Sequence, residues 1–412
     1  MRYILLLLRN RKTQKERCLV GNSIYDSEVI YKYLLNLKFE QYFRRLVLQH
    51  IVSILITVFM FGYKGKTIQM SENSAKCRTT VAHFLNHGTW NEDLLEQILK
   101  KEIVRRIYEE AERTGAPIFC IVDDTISSKS KPSSQARHPI EDAYFHQSHL
   151  KKKQDYGHQA VAVMLSCNGI VLNYAIVMYD KSKSKIQIVC DIAEELPTAP
   201  VPSYFLCDCW YSCTKVMDAF LVKGFYAIGA LKTNRVIFPA GIRQNISKFA
   251  QLIAKTAPNV NLVTVGKRQY YVYRYEGHLN DLENAVVLIS YPKDAFGVPH
   301  ALRAFICTHI SLSTQEILNY YLERWNIEVF FRQSKQKLAL DKYQIRSSRG
   351  IRRFWLLMST AHYICCTASE DGLSFEKGYA VIQKQLLTER ITYIYNCGAA
   401  RIPLDSVLTL VA

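Results

Sequence analysis

The sequence predicts an α/β fold in which helices cover a mixed sheet. A helical N-terminal segment precedes that sheet, and a β-rich segment interrupts it. Three observations predict this arrangement. Apolar residues recur at helical spacing up to about residue 114. From 116 to 239, short apolar runs alternate with amphipathic helical runs. From 240 to 305, strand-like runs are separated by turns.

The composition indicates a folded, strongly basic protein. Its 412 residues are 49% apolar, which is enough for two or three domains and excludes wholesale disorder. The 53 basic and 36 acidic side chains give a net charge of +17. This excess favours a polyanionic partner, either nucleic acid or an anionic membrane. The twelve cysteines are scattered through the chain, many of them in apolar runs, as in proteins of the reducing cytoplasm.

Residues 1–115 are predicted to form a helical N-terminal domain, although the first 20 residues carry no interpretable motif. The apolar run at 46–63 is nearly long enough to cross a bilayer. Because Gln49 and His50 interrupt it, a buried helix is favoured over a membrane span. A longer amphipathic helix is predicted to end at Gly115.

Residues 66–90 are predicted to form two short helices joined by a turn, and the second would open with Lys76, Arg78, Thr79 and Thr80. One interpretation is a helix-turn-helix whose second helix faces DNA phosphates. The other is an ordinary helix pair, which any helical domain contains.

Strands and helices alternate after residue 116. The run PIFCIVDD (117–124) is apolar and ends in two acids. Two strands meet at Asn168-Gly169, a strong hairpin signal. SYFLCD (203–208) and FYAIGALKTNR (225–235) are two further strands, separated by a helix. Helix-linked strands are expected to run parallel.

The stretch YLERWNIEVFFRQSK is predicted to be one helix. Helical spacing would place four of its side chains on one stripe: Tyr321, Arg324, Glu328 and Lys335. A solvated face with ion pairs is one interpretation of this stripe. A metal ligand flanked by phosphate-binding groups is the other.

Three acids occupy positions suited to metal binding. Asp123, or its neighbour Asp124, closes the first strand, Asp208 closes a later one, and Glu328 lies on the late helix. Carboxylates at the ends of neighbouring strands repel each other unless cations lie between them. Hard oxygen ligands suit Mg²⁺ or Mn²⁺, and two such ions can assist phosphodiester chemistry. A single aspartate at a strand end is more often a turn residue.

These motifs together resemble the DDE transposases of bacterial insertion sequences, in the cut-and-paste, hairpin-forming group. The most specific match is the pattern Y-x2-R-x3-E-x6-K, met by Tyr321, Arg324, Glu328 and Lys335. IVDDT is similar to the family's strand ending Asp-x-Thr, which selects Asp123 and leaves Asp124 as the alternate. FLCDCWYS is similar to the strand that carries the second acid, Asp208. The resemblance covers roughly residues 65–365.

The resemblance implies a ribonuclease-H-like mixed sheet. The first part of the catalytic domain would be 116–239, the insertion 240–305, the second part 306–370 and a weakly patterned tail 371–412. Asp123, Asp208 and Glu328 would bind two Mg²⁺ (or Mn²⁺) ions and carry the catalysis. DNA would be contacted by Tyr321, Arg324, Lys335, Lys232, Asn234 and Arg235.

The implied partners are the terminal inverted repeats of a transposon and its target DNA. A homodimer would hold two transposon ends, in the cytoplasm at the nucleoid and without a membrane. Two other functions stay open from the sequence. One is a metal-dependent, structure-selective nuclease, and the other is an inactive, transposase-derived DNA-binding protein.

Several further segments have two interpretations each. The basic runs at 149–159, 180–185 and 346–354 either contact DNA or form solvated surface. The tyrosines of 267–278 either stack on a flipped base or pack as an ordinary half-buried strand, and the second interpretation is favoured.

Overall fold

The computed structural model describes residues 27–72, 74, 76–136, 139–148, 153–368 and 374–411. Residues 1–20, and residues 149–152 of the basic run at 149–159, lie outside them. The helices are α1 Glu28–Asn36, α2 Arg45–Ile56, α3 Thr67–Glu72, α4 Arg78–Asn86, α5 Glu92–Thr114, α6 Lys185–Glu195, α7 Thr214–Leu221, α8 Ile246–Ala250, α9 Thr314–Leu322, α10 Trp325–Gln336, α11 Ser348–Ala368, α12 Phe375–Ala399 and α13 Leu404–Val411. The strands are β1 Phe119–Ser128, β2 Tyr144–Ser148, β3 Lys153–Cys167, β4 Ile170–Tyr179, β5 Ser203–Cys207, β6 Phe225–Leu231, β7 Val236–Ile237, β8 Gln244–Asn245, β9 Val260–Val265, β10 Arg268–Leu279, β11 Leu282–Pro292 and β12 Arg303–Cys307.

The chain forms two compact units. The first comprises residues 1–102, 130–142 and 332–412, and it contains α1–α4 and α11–α13. The second comprises residues 103–129 and 143–331, and it contains β1–β12. The division into five segments that the sequence analysis gave (1–115, 116–239, 240–305, 306–370 and 371–412) stays a prediction.

The apolar run at 46–63 is part of the core of the first unit. It forms α2 and continues as a π-helical turn at Thr57–Phe61. Ile51, Val52 and Leu55 are fully buried. The prediction of a buried helix is therefore confirmed. Within the described parts of the chain, no helix combines the length and the apolar content needed to cross a bilayer.

The two short helices predicted at 66–90 are α3 and α4, and α4 begins at Arg78. Val81, Phe84 and Leu85 bury one face of α4, whereas Arg78 is exposed. DNA recognition by this pair stays a prediction. The long helix α5 ends as predicted before Gly115, whose φ of 70° favours glycine.

The arginine run at 346–354 is not simply a basic surface. Arg353 on α11 is fully buried. Its guanidinium donates hydrogen bonds to the carbonyl oxygens of Phe84, Gly88 and Trp90, at 2.7–3.0 Å, and to the Glu92 carboxylate at 2.7 Å. Arg353 therefore ties the segment that follows α4 to α11. A solvated or DNA-facing role is wrong for this residue.

The weakly patterned tail predicted after residue 370 contains a long helix, α12. Ile382 and Leu386 are buried on it, yet Leu387 and Ile391 are exposed. Because its apolar residues lie on several sides, the sequence has no single stripe at helical spacing. The helix was missed for that reason.

The core of the second unit is a mixed sheet in which β1 lies between β3 and β5. Its first strands are ordered β2-β3-β1-β5-β6, and β4 pairs with β3. β1 is antiparallel to β3 and parallel to β5, and β5 is parallel to β6. The predicted parallel pairing of helix-linked strands is confirmed. The β3–β4 hairpin turns at Asn168 and Gly169, with φ values of 47° and 82°.

The β-rich segment extends this same sheet. β12 pairs antiparallel with β6, and the order continues through β11, β10, β7 and β8. Tyr271 and Tyr273 of β10 are half-buried and pack on other aromatic rings, Tyr271 on Phe296 and Tyr273 on Phe249, at centroid distances of 5.5 and 5.3 Å. The favoured interpretation of these tyrosines, ordinary packing, is confirmed.

Candidate active site

Asp123 and Asp208 lie at the same edge of the sheet. The parallel pairing of β1 with β5 ends at the pair Val122–Cys207. Each aspartate is the next residue along its strand. Asp208 directly follows β5, but the predicted strand end at Asp123 is wrong, because β1 continues to Ser128 in its pairing with β3. The two carboxylates are instead brought to one place because each follows the last residue of the β1–β5 pairing.

Arg324 joins Asp123 to Glu328. Its Nη1 lies 3.3 Å from Asp123 Oδ2, and its Nη2 donates a short hydrogen bond to Glu328 Oε1. The Arg324 and Asp123 side chains are only 18% and 23% exposed, so water screens the pair weakly. One guanidinium thus supplies the positive charge beside both carboxylates. The sequence had assigned Arg324 to DNA phosphates; the alternative interpretation of ion pairs on one helix face covers its pair with Glu328, but nothing in the sequence indicated the contact with Asp123.

The surroundings of Asp123 disfavour the ionised form of its carboxyl group. Burial, joined by the neighbouring charges of Asp208 and Asp124, raises its pKa to about 7. The Asp124 N–H, which donates to Asp123 Oδ1 at 2.8 Å, and the Arg324 guanidinium act in the opposite direction. An additional cation beside Asp123 would favour its ionised form.

Asp124 has a different environment, since successive side chains of a strand point to opposite faces. Its Oδ2 accepts hydrogen bonds from Lys185 Nζ at 2.6 Å and Tyr211 Oη at 2.9 Å. Its Oδ1 accepts from Gln159 Nε2 at 2.6 Å. Asp124 is therefore fully engaged with protein donors. Of these two adjacent acids in β1, Asp123 is the one that Arg324 links to Glu328.

Asp208 organises the turn that follows β5. Its Oδ1 accepts the backbone N–H groups of Trp210 at 2.9 Å and Tyr211 at 3.4 Å. The next contact in this turn is the hydrogen bond from the buried Tyr211 hydroxyl to Asp124. Asp208 thus has the turn role that a strand-end aspartate commonly has, in addition to its place beside Asp123.

The single helix predicted at 321–335 is wrong. α9 ends at Leu322 and α10 begins at Trp325. The N–H of Arg324 donates to the carbonyl of Tyr321, three residues earlier, so the tighter turn changes the direction of the side chains. Glu328 lies in the first turn of α10 and Lys335 in its last. Tyr321 lies on α9, partly buried against Phe305.

The three residues predicted after β6 differ in their surroundings. Lys232 is exposed, and its Nζ lies 5.7 Å from the ring centroid of Trp210. Asn234 is also exposed. Arg235 instead forms an ion pair with Asp281, with its Nη2 2.6 Å from Oδ2. DNA contact by these residues stays a prediction.

The donor set at this edge of the sheet is chemically suited to a hard divalent cation, because Asp123, Asp208 and Glu328 all offer carboxylate oxygens. The side chains are not gathered as a ready metal site. Across the described residues, no group of three or more histidine, cysteine, aspartate or glutamate side chains is placed to hold a metal ion. Arg324 lies between two of the three acids.

The sequence model of the transposase DDE domain matches residues 114–364. The chain belongs to this family. Among curated proteins, none matches the chain. The matched range of the transposase domain contains Asp123, Asp208 and Glu328, together with the strands and helices that carry them.

Membership in the transposase family fits the mixed α/β sheet and implies that DNA is the partner. Sequence reasoning missed Lys185 and Gln159, which hold Asp124. Lys185 lies in the basic run at 180–185, which was interpreted either as a DNA contact or as solvated surface. It is 61 residues from Asp124. No local spacing in this transposase could have indicated that contact.

Proposed function

We propose that the protein is a cut-and-paste transposase that cleaves DNA at transposon ends and joins those ends to target DNA. The catalytic residues in this proposal are Asp123, Asp208 and Glu328. The observation that carries it is the Arg324 bridge, which links the first strand to α10 beside the strand end that holds Asp208. A transposase DDE domain that spans all three acids supports it.

Asp123, Asp208 and Glu328 would hold two divalent ions, Mg²⁺ or Mn²⁺. Such ions activate a water or a DNA 3′-hydroxyl and stabilise the leaving oxygen. Asp124 does not take part as a ligand in this proposal, because Lys185, Gln159 and Tyr211 satisfy its oxygens.

Arg324 has two roles in this proposal. Without DNA, its guanidinium neutralises Asp123 and Glu328. With DNA bound, a phosphate group is an equally good partner for the same planar donors. Tyr321, Lys335, Lys232 and Asn234 contact the DNA backbone, and Arg235 does so only if it leaves Asp281.

The further steps of the proposal follow from the family resemblance. A homodimer holds two transposon ends, at the terminal inverted repeats. The freed 3′-hydroxyl attacks the opposite DNA strand and forms a hairpin at the transposon end. Water reopens this hairpin before the end is joined to target DNA. The site of action is the cytoplasm, at the nucleoid.

The test is an assay with purified protein and a plasmid that carries the DNA bordering the reading frame. Mg²⁺-dependent cleavage at inverted repeats, followed by joining of the cut ends to a second plasmid, is expected. A structure-selective nuclease with the same acids would cut but would not join pre-cut ends to target DNA. An inactive DNA-binding protein would bind the ends and leave them intact. Either of these outcomes would refute the proposal.

A further inference from the structure

The tip of the β10–β11 hairpin places a carboxylate against two hydrogen-bond donors. Asp281 lies in the short turn between the paired residues Leu279 and Leu282. Its Oδ1 and Oδ2 accept from Arg235 Nη2 at 2.7 and 2.6 Å, and its Oδ2 also accepts from the Thr214 hydroxyl at 3.0 Å. These contacts join residues that are 46 and 67 positions apart in the chain. We name Arg235 and Thr214 the Arg235 anion site, because together they hold one anionic group.

The Arg235 anion site lies at the edge of the sheet that carries Asp208. β6 is parallel to its neighbour β5, so the carboxyl ends of both strands meet at one edge. Asp208 directly follows β5, and Arg235 follows β6, which ends at Leu231. Thr214 begins α7, the helix after the turn that Asp208 organises. The site therefore belongs to the edge over which DNA lies in the proposed function.

The sheet holds this hairpin independently of the ion pair. β10 and β11 pair along their length, and Leu279 also pairs with Ile237 of β7, where both side chains are buried. The Asp281 and Arg235 side chains, in contrast, are 36% and 30% exposed. An ion pair this exposed is weak, so another anion can replace the carboxylate. A DNA phosphate suits the same donors, because guanidinium and hydroxyl groups bind phosphate oxygens.

We propose that the Arg235 anion site binds a DNA phosphate and that the Asp281 carboxylate occupies this site in the free protein. DNA binding then requires Asp281 to leave and a phosphate to take its place. Asp281 thereby lowers the affinity that Arg235 would otherwise give for any DNA. This inference rests on the proposed function, because it assumes that DNA lies along the sheet edge that carries Asp208.

The test measures affinity for a duplex with the sequence that borders the reading frame, without divalent ions and over a series of salt concentrations. The variants are Asp281→Asn and the matched control Glu283→Gln, which changes an exposed acid of the same hairpin. Each removes one negative charge, but the first also releases Arg235 from its ion pair. Both substitutions are then repeated in the Arg235→Gln variant.

Asp281→Asn is expected to tighten DNA binding about 2- to 5-fold more than Glu283→Gln does. The logarithm of its affinity should also fall more steeply with the logarithm of the salt concentration, by up to about 0.9, because one more phosphate contact releases counterions. In Arg235→Gln, the two neutralising substitutions should have equal effects. Equal effects with Arg235 intact, or an advantage of Asp281→Asn that persists in Arg235→Gln, would overturn the inference.

The second donor is tested by Thr214→Val, which removes the hydroxyl and keeps the shape of the side chain. Combined with Asp281→Asn, it should weaken DNA binding by about 2- to 10-fold relative to Asp281→Asn alone. Unchanged affinity would remove Thr214 from the site. Circular dichroism shows whether each variant is folded, and Asp281→Ser carries the same prediction if Asp281→Asn is unfolded.

The two proposals fail differently. A wild type that cuts and joins DNA, while Asp281→Asn behaves like Glu283→Gln, would refute the role of Asp281 alone. A wild type that binds DNA but neither cuts nor joins it would refute the proposed function.

Discussion

The adjacent aspartates in the middle of β1, Asp123 and Asp124, should respond oppositely to neutralisation. The substitutions are Asp123→Asn and Asp124→Asn, each isosteric and each removing one negative charge. Asp123 is a buried carboxylate whose pKa is raised to about 7 from an ordinary value of 3.8. Asp124 is paired with Lys185 and accepts hydrogen bonds from Tyr211 and Gln159.

Because the folded-state pKa of Asp123 lies above the ordinary value, ionisation of this group opposes folding. Its contribution to stability is fully present below about pH 4 and is lost as the pH rises through about 7. The displaced pKa corresponds to at most about 4 kcal/mol. Asp123→Asn should therefore raise the free energy of unfolding at pH 8 by about 2–4 kcal/mol, and hardly change it at pH 4.

Asp124→Asn should instead lower the free energy of unfolding. It leaves the largely buried Lys185 without its counter-charge and weakens the hydrogen bond from Tyr211. A loss of about 1–3 kcal/mol is expected at pH 8, below the range for a fully buried pair because both side chains retain some exposure.

The assay is urea-induced unfolding in EDTA at a series of pH values from 4 to 8, followed by circular dichroism. EDTA is needed because a bound divalent ion would also neutralise Asp123. Destabilisation by both substitutions at pH 8, or a gain from Asp123→Asn that is equal at pH 4 and pH 8, would refute the reasoning.

Three further substitutions follow from single contacts. Arg324→Gln should lower the free energy of unfolding by about 1–3 kcal/mol in EDTA and by less in saturating Mg²⁺. Arg235→Gln, which removes a more exposed ion pair, should cost under about 1 kcal/mol in both conditions. Equal losses of Arg324→Gln in EDTA and in Mg²⁺ would contradict this prediction. Asp208→Ala should abolish DNA cleavage and leave DNA binding largely intact in a gel-shift assay; normal cleavage would remove Asp208 from the site. Arg353→Met should cost about 3–5 kcal/mol in urea unfolding because it leaves buried carbonyl oxygens unpaired and leaves Glu92 paired with Arg349 alone of its two arginines. Arg352→Met, at an exposed neighbour, should cost little, and equal effects of the two substitutions would contradict the buried role of Arg353.

Local signals in the sequence predicted much of the second unit. The apolar runs that end at Asp123 and Asp208 are strands, and Asn168-Gly169 is a hairpin turn. These features depend on side-chain alternation and turn chemistry within a few residues. The position of Asp208 at the end of its strand was therefore predictable before any contact was known, whereas the continuation of β1 past Asp123 to Ser128 was not.

Long-range contacts were not predictable in this way. Arg324 and Asp123 are 201 residues apart, and only the folded sheet brings them together. The break between α9 and α10 was missed because the stretch around Glu323 contains neither glycine nor proline. Arg353 was missed because an arginine is rarely buried unless partners in the fold satisfy its donors, and its partners are carbonyl oxygens that no sequence pattern indicates.

The most direct test of the central claim is a crystal structure of the protein with Mn²⁺ and a DNA end, in which anomalous scattering locates the ions. We expect Mn²⁺ bound by the carboxylates of Asp123, Asp208 and Glu328, at the phosphate of the DNA end. Mn²⁺ bound elsewhere, with Arg324 still bonded to both Asp123 and Glu328 in the DNA complex, would contradict the account.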